Sequence, residues 1–95
     1  MRITDVRIRK TFEEGPLKAI VSVTFDDALA VHDIKIIETK NDKRFIVMPS
    51  VKMSDGTYRD TVHPMNSEFR HQLTEAVLDE YVAHCVVEEV NRKDK

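Results

Sequence analysis

The segment LKAIVSVTF, Leu17 to Phe25, alternates apolar with polar or charged residues almost without a break. Leu17, Ala19, Val21, Val23 and Phe25 share one phase, and Lys18, Ser22 and Thr24 share the other. A period of two is the signature of a strand with one buried face. Ile20 alone stands out of phase, so the second face is not wholly polar.

Neighbouring segments extend the pattern into a meander. Met1 to Lys10 is β-like, with Val6 and Ile8 on one face and Ile3 in the opposite phase, which predicts a bulge or a strand buried on both sides. EEGPLK reads as the turn between these strands, with Gly15 giving backbone freedom and Pro16 opening the next strand. Asp26-Asp27 makes the following turn. Leu29 and Val31 alternate, then Ile34 and Ile36 continue in the other phase, so a bulge or bend is expected at His32-Asp33. TKNDKR is a polar turn, FIVM a short strand stopped by Pro49, and Asp55-Gly56 a turn before a last short strand over 57–62.

A helix follows. Asn66 or Ser67 is its N-cap, Pro64 blocks an earlier start, and Glu68 sits at the positive end of the dipole. Phe69, Leu73, Ala76, Val77 and Tyr81 form one apolar stripe at three- and four-residue spacing. The β-branched residues of AHCVVEEV leave the end of the helix open. The expected fold class is α+β: an antiparallel β-sheet meander with a C-terminal α-helix packed on one face. Open sheet edges, and more apolar strand surface than one helix covers, predict a homodimer.

Composition bounds the rest. A chain of 95 residues suits one domain, placed at 1–90, with 91–95 as a disordered tail. Hydrophobic content of 41% and charged content of 34% describe a soluble globular chain. No apolar run approaches the ~20 residues that span a bilayer, and MRITDVRIRK has no secretory signal, so no membrane insertion is expected. The lone Cys85 fits a reducing cytoplasm. Residues 1–60 hold eleven Lys/Arg against ten Asp/Glu, and residues 61–95 four against seven, so the C-terminal part is poorly suited to phosphates.

No chemistry-bearing motif emerges. The four histidines have neither i,i+4 spacing nor a Cys-x-x-Cys companion, so no metal is expected. His32-Asp33 resembles half of an acid–base pair, but neighbours in a strand face apart, and a hydrogen-bonded histidine at a bulge is the plainer reading. With no nucleophile motif, no phosphate loop and only two glycines, neither an enzyme nor a cofactor is expected. The basic residues are better placed. Lys43 and Arg44 fall in a turn, Lys52 in a loop after Pro49, Arg59 in the last strand and Arg70 in the first helical turn. Prolines restrict the backbone around them, so these cations would lose less entropy on meeting phosphates. Asp55 and Asp60 lie close by, and pairing with them would instead make a solvated ion-pair surface.

MRITDVRIRK, VHDIKII, MPSVKMSDGTYRD, HPMNSEFR and AVLDEY, in this order and spacing, resemble the SpoVG family of bacterial septation and sporulation regulators. The resemblance implies a cytoplasmic dimer with an antiparallel sheet and a C-terminal helix. It implies a non-enzymatic regulator of septation, sporulation and gene expression that binds DNA and/or RNA. The family often carries Lys-Arg where this chain has Val51-Lys52, so only Lys52 carries over. Arg59 falls on the arginine of the R-D motif and Arg70 on the arginine after N-S, while Gln72 stands where some members are basic. The alternative is a regulator that acts by protein–protein contacts through an acidic helix face and an open sheet edge.

Overall fold

The structure, a computed structural model, describes the backbone of residues 1–93 and the side chains of residues 1–86. Six strands precede one helix: β1 (Ile3–Thr11), β2 (Leu17–Phe25), β3 (Leu29–Glu38), β4 (Arg44–Val47), β5 (Ser50–Lys52), β6 (Tyr58–Asp60) and α1 (Ser67–Lys93). The first four form an antiparallel sheet in the order β1-β2-β3-β4, and β5 and β6 form a separate antiparallel pair. The α+β class and the meander with its C-terminal helix are as the sequence predicts.

Sheet register accounts for the phase switches. Ile3 pairs with Phe25 and Val6 with Val23, and the extra residue between them on β1 is a bulge that returns Ile3 to the core face. A second bulge sets His32 and Asp33 against Ser22 alone, because Val21 pairs with Ile34 and Val23 with Val31. Asp33 takes the left-handed conformation there, at φ 65°. Asp26 and Asp27 turn the β2–β3 hairpin at φ 53° and 51°, a backbone that short acidic side chains tolerate and that matches the strand twist.

Burial follows the alternation. Ala19, Val21, Val23, Ile34 and Ile36 have no exposed surface, and Leu73, Val77 and Tyr81 of α1 close over them. Phe25 and Phe69 meet with ring centroids 5.9 Å apart. Asn66 is the N-cap, since its Oδ1 accepts the Phe69 N–H at 2.7 Å. Burial, and then the neighbouring Cys85 thiol, push the Tyr81 phenol up to about 12.

Several boundaries differ from expectation, and Arg44 opens β4 instead of closing the polar turn. Lys52 lies in a strand, β5, and the last strand is only Tyr58–Asp60. SVK carries one apolar residue and shows no period, so pairing is imposed by the Asp55-Gly56 turn. The helix, whose end the sequence leaves open, runs through Lys93, past the domain boundary placed at residue 90. β-branched residues cost a helix less than ~0.7 kcal/mol each, too little to stop one already nucleated. Residues 94 and 95 of the expected tail lie outside the described residues. No helix among the described residues is long and apolar enough to cross a membrane.

Candidate nucleic-acid interface

After Pro49 the chain leaves the sheet as a small hairpin, β5–β6. Its base is closed by Thr61, whose N–H and hydroxyl both donate to the Pro49 carbonyl, at 2.8 and 3.1 Å. Its tip is closed by the Thr57 carbonyl, which accepts the Met53 N–H at 2.7 Å. There the Asp55 carboxylate accepts the Thr57 hydroxyl at 2.6 Å and the Thr57 N–H at 3.0 Å, and these bonds lower its pKa. Gly56, at φ 90°, supplies the left-handed residue that the turn requires. The ribbon is therefore tied at both ends, although every residue in it is exposed.

The pairing register decides where the cations point. Lys52 pairs with Tyr58, and Val51 with Arg59. Directly opposed residues share a face and successive residues alternate, so Lys52 and Arg59 stand on opposite faces of the ribbon. Lys52 rises beside the exposed Tyr58 ring, and Arg59 beside Val51. Among the described residues, the ion pairs are Arg7–Asp5, Arg44–Glu38 and His71–Glu75, so neither hairpin cation, nor Arg70, is neutralised by a salt bridge. Asp55 instead serves the turn.

The other candidates separate. Arg70 is exposed in the first turn of α1, joined to the hairpin by the connector 61–66. Arg44 lies on the helix side of β4, with its guanidinium 5.4 Å from the centroid of the Tyr81 ring and its Nε 3.8 Å from Glu38. Arg70 and Tyr81 are eleven positions apart on the helix, roughly 16 Å of axis, so Arg44, at Tyr81, lies well away from Arg70. Lys43 is exposed in the β3–β4 turn beside it. Thus the five cations form a hairpin pair, a helix-start arginine, and a distant pair of Lys43 in the β3–β4 turn and Arg44 at the start of β4.

His32 is the bulge histidine of the plainer reading: its Nδ1 lies 2.8 Å from Ser22 Oγ, and Ser22 is 7% exposed. Cys85 is a half-buried free thiol packed against the core. His71 pairs with Glu75 at 3.0 Å on the exposed helix surface.

Residues 1–83 match the model of the SpoVG family. Relatives named "Putative septation protein SpoVG" come from several bacteria. The one from Acetivibrio thermocellus is 55% identical over 85 residues, covering 90% of this chain and 89% of its own. That from Clostridium perfringens is 58% identical over 81 residues, covering 85% and 89%. That from Alkaliphilus oremlandii is 55% identical over 89 residues, covering 94% and 95%.

Proposed function

This chain belongs to the SpoVG family, and on that premise we propose that it is a dimeric, cytoplasmic, non-enzymatic regulator that binds nucleic acid through the β5–β6 hairpin. Its role is in septation and sporulation, as the names of its relatives suggest. The observation that carries the reading is an exposed ribbon, tied at base and tip, with an unneutralised cation on each face. A two-stranded ribbon fits the ~12 Å major groove of duplex DNA. Lys52 and Arg59 then address the two phosphate walls, and Arg59 presents the planar fork that suits phosphate or guanine. Dimerisation through the sheet edges doubles these contacts and makes two short ribbons sufficient.

Salt titration of duplex binding tests this. Lys52, Arg59 and Arg70 from two protomers give a log–log slope of at most about −5. Replacing Lys52 and Arg59 with Ala removes about 3.6 of that. Unchanged affinity and slope in that variant would remove the hairpin from the interface.

A second reading, regulation by protein contact, is favoured by an apolar groove beside the hairpin, where Met1, Leu29, Val62 and Met65 are exposed around Phe25 and Phe69. Absence of nucleic-acid binding by the wild type at low salt would select it.

A further inference from the structure

The helix covers one face of the four-stranded sheet and leaves the other open. On the open face Ile20, Ser22 and Thr24 of β2 stand opposite in phase to the buried Ala19, Val21 and Val23. Lys10 and Lys35 flank Ile20, one from each neighbouring strand. Arg9 reaches across the bulged end of β1 and donates from Nε to Ser22 Oγ at 3.2 Å. Ser22 Oγ also hydrogen-bonds His32 Nδ1, 2.8 Å away. That bond fixes the His32 ring with Nε2 toward the exposed edge. The acids here are Asp5, whose carboxylate is held 2.8 Å from Arg7, and Asp33 at the bulge.

Next to this cationic band the same face turns apolar. Ile37 pairs with Leu17 on one side and Phe45 on the other, and Val47 lies opposite Lys35. Phe45 is 43% exposed, and Leu17 and Ile37 are half-buried on the face opposite to the one that α1 covers among the described residues.

We propose that this helix-free face is a second nucleic-acid site, distinct from the hairpin, and that its ligand is single-stranded. Arg9, Lys10 and Lys35 meet the phosphates, and unpaired bases lie on Phe45 and the Leu17–Ile37 row. Charge decides against a second copy of this chain as the occupant, because two-fold pairing of the face would press its own cations together in a desolvated interface. The apolar row decides against a duplex, whose bases are already stacked and offer nothing to cover Phe45. A single strand supplies both phosphates and exposed base planes, and aromatic side chains beside a positive surface bind it with little regard to sequence.

The test is fluorescence anisotropy with labelled oligothymidylate dT20 and, separately, a 20-base-pair duplex. Lys10→Ala with Lys35→Ala is expected to weaken dT20 binding at least about fivefold and to lower its salt slope by about 1.4. Duplex binding stays as it was. Phe45→Leu, which keeps the position apolar, weakens dT20 binding by about fivefold or more without changing the slope. Unaltered thermal midpoints certify that the variants fold. The proposal is overturned if wild type does not bind dT20, or if the Lys10/Lys35 variant binds it with unchanged affinity and slope. It is also overturned if phosphatidylserine vesicles compete dT20 off and lose binding in the same variant, which would assign the face to lipid. The hairpin reading fails separately, on duplex binding by the Lys52/Arg59 variant.

Discussion

β2 and β6 are both antiparallel strands, yet they occupy opposite extremes of environment. In β2, Ala19, Val21 and Val23 are wholly buried and Phe25 nearly so. In β6, and in its partner β5, every residue is exposed. One ladder is held by apolar burial between sheet and helix. The other is held by its two ends: Thr61 on the Pro49 carbonyl, and Thr57 on Asp55 and Met53. The difference teaches where each property resides. The meander holds the buried apolar surface that drives folding, whereas the exposed residues of β5 and β6 contribute none of it.

Substitutions can break or sharpen that contrast. The largest effect is expected at Ile34, which has no exposed surface: Ile34→Ala should cost about 2–5 kcal/mol in denaturant unfolding, as transfer and cavity terms add. Asp33→Ile comes next. A β-branched residue at φ 65° should cost about 1–2 kcal/mol by the same measurement, although Asp33 is exposed. Thr61→Val, which loses the hydroxyl bond to the Pro49 carbonyl, should cost about 0.5–1.5 kcal/mol or simply loosen the hairpin, read as faster amide exchange at Lys52 and Met53. Val51→Ala should change stability by no more than about 0.5 kcal/mol, despite removing an apolar strand residue. A value near that of Ile34→Ala would show that the hairpin is part of the core after all.

Alkaline pH probes the contact between α1 and the meander through Tyr81. The Tyr81 phenol ionises near 10 in the unfolded chain and near 12 in the folded one, so the fold favours its neutral form. That contribution is complete below pH 10 and is lost as pH rises toward 12. Tyr81→Phe should flatten stability through this window.

The two regions also differ in how far they can be read from sequence. Alternation in LKAIVSVTF exposes β2 directly, and the phase switches at Ile3 and at His32-Asp33 locate two bulges. The bulges at Arg9 and Lys18 escape: Lys10 and Thr11 offer no apolar phase beyond Arg9, and Leu17 keeps the sequence phase of the buried Ala19 although the bulge at Lys18 turns it to the open face, against the single phase read for Leu17–Phe25. β5 escapes for a related reason: three exposed residues with one apolar member carry no period. The opposite facing of Lys52 and Arg59 follows from register, which depends on where the Asp55-Gly56 turn closes. The engagement of Arg44 with Glu38 and Tyr81 depends on tertiary packing that spacing does not encode. Conversely, Arg7, Arg9 and Lys35 are visible as residues alternating with Val6, Ile8, Ile34 and Ile36, whereas Lys10 shares the phase of Val6 and Ile8 and reaches the open face only through the bulge at Arg9.

The most direct measurement is the salt dependence of duplex binding, compared between wild type and the Lys52→Ala/Arg59→Ala variant at matched protomer concentration. The account predicts weaker binding and a slope reduced by about 3.6, with the thermal midpoint unmoved. A variant that binds as tightly as wild type, along the same slope, would contradict it.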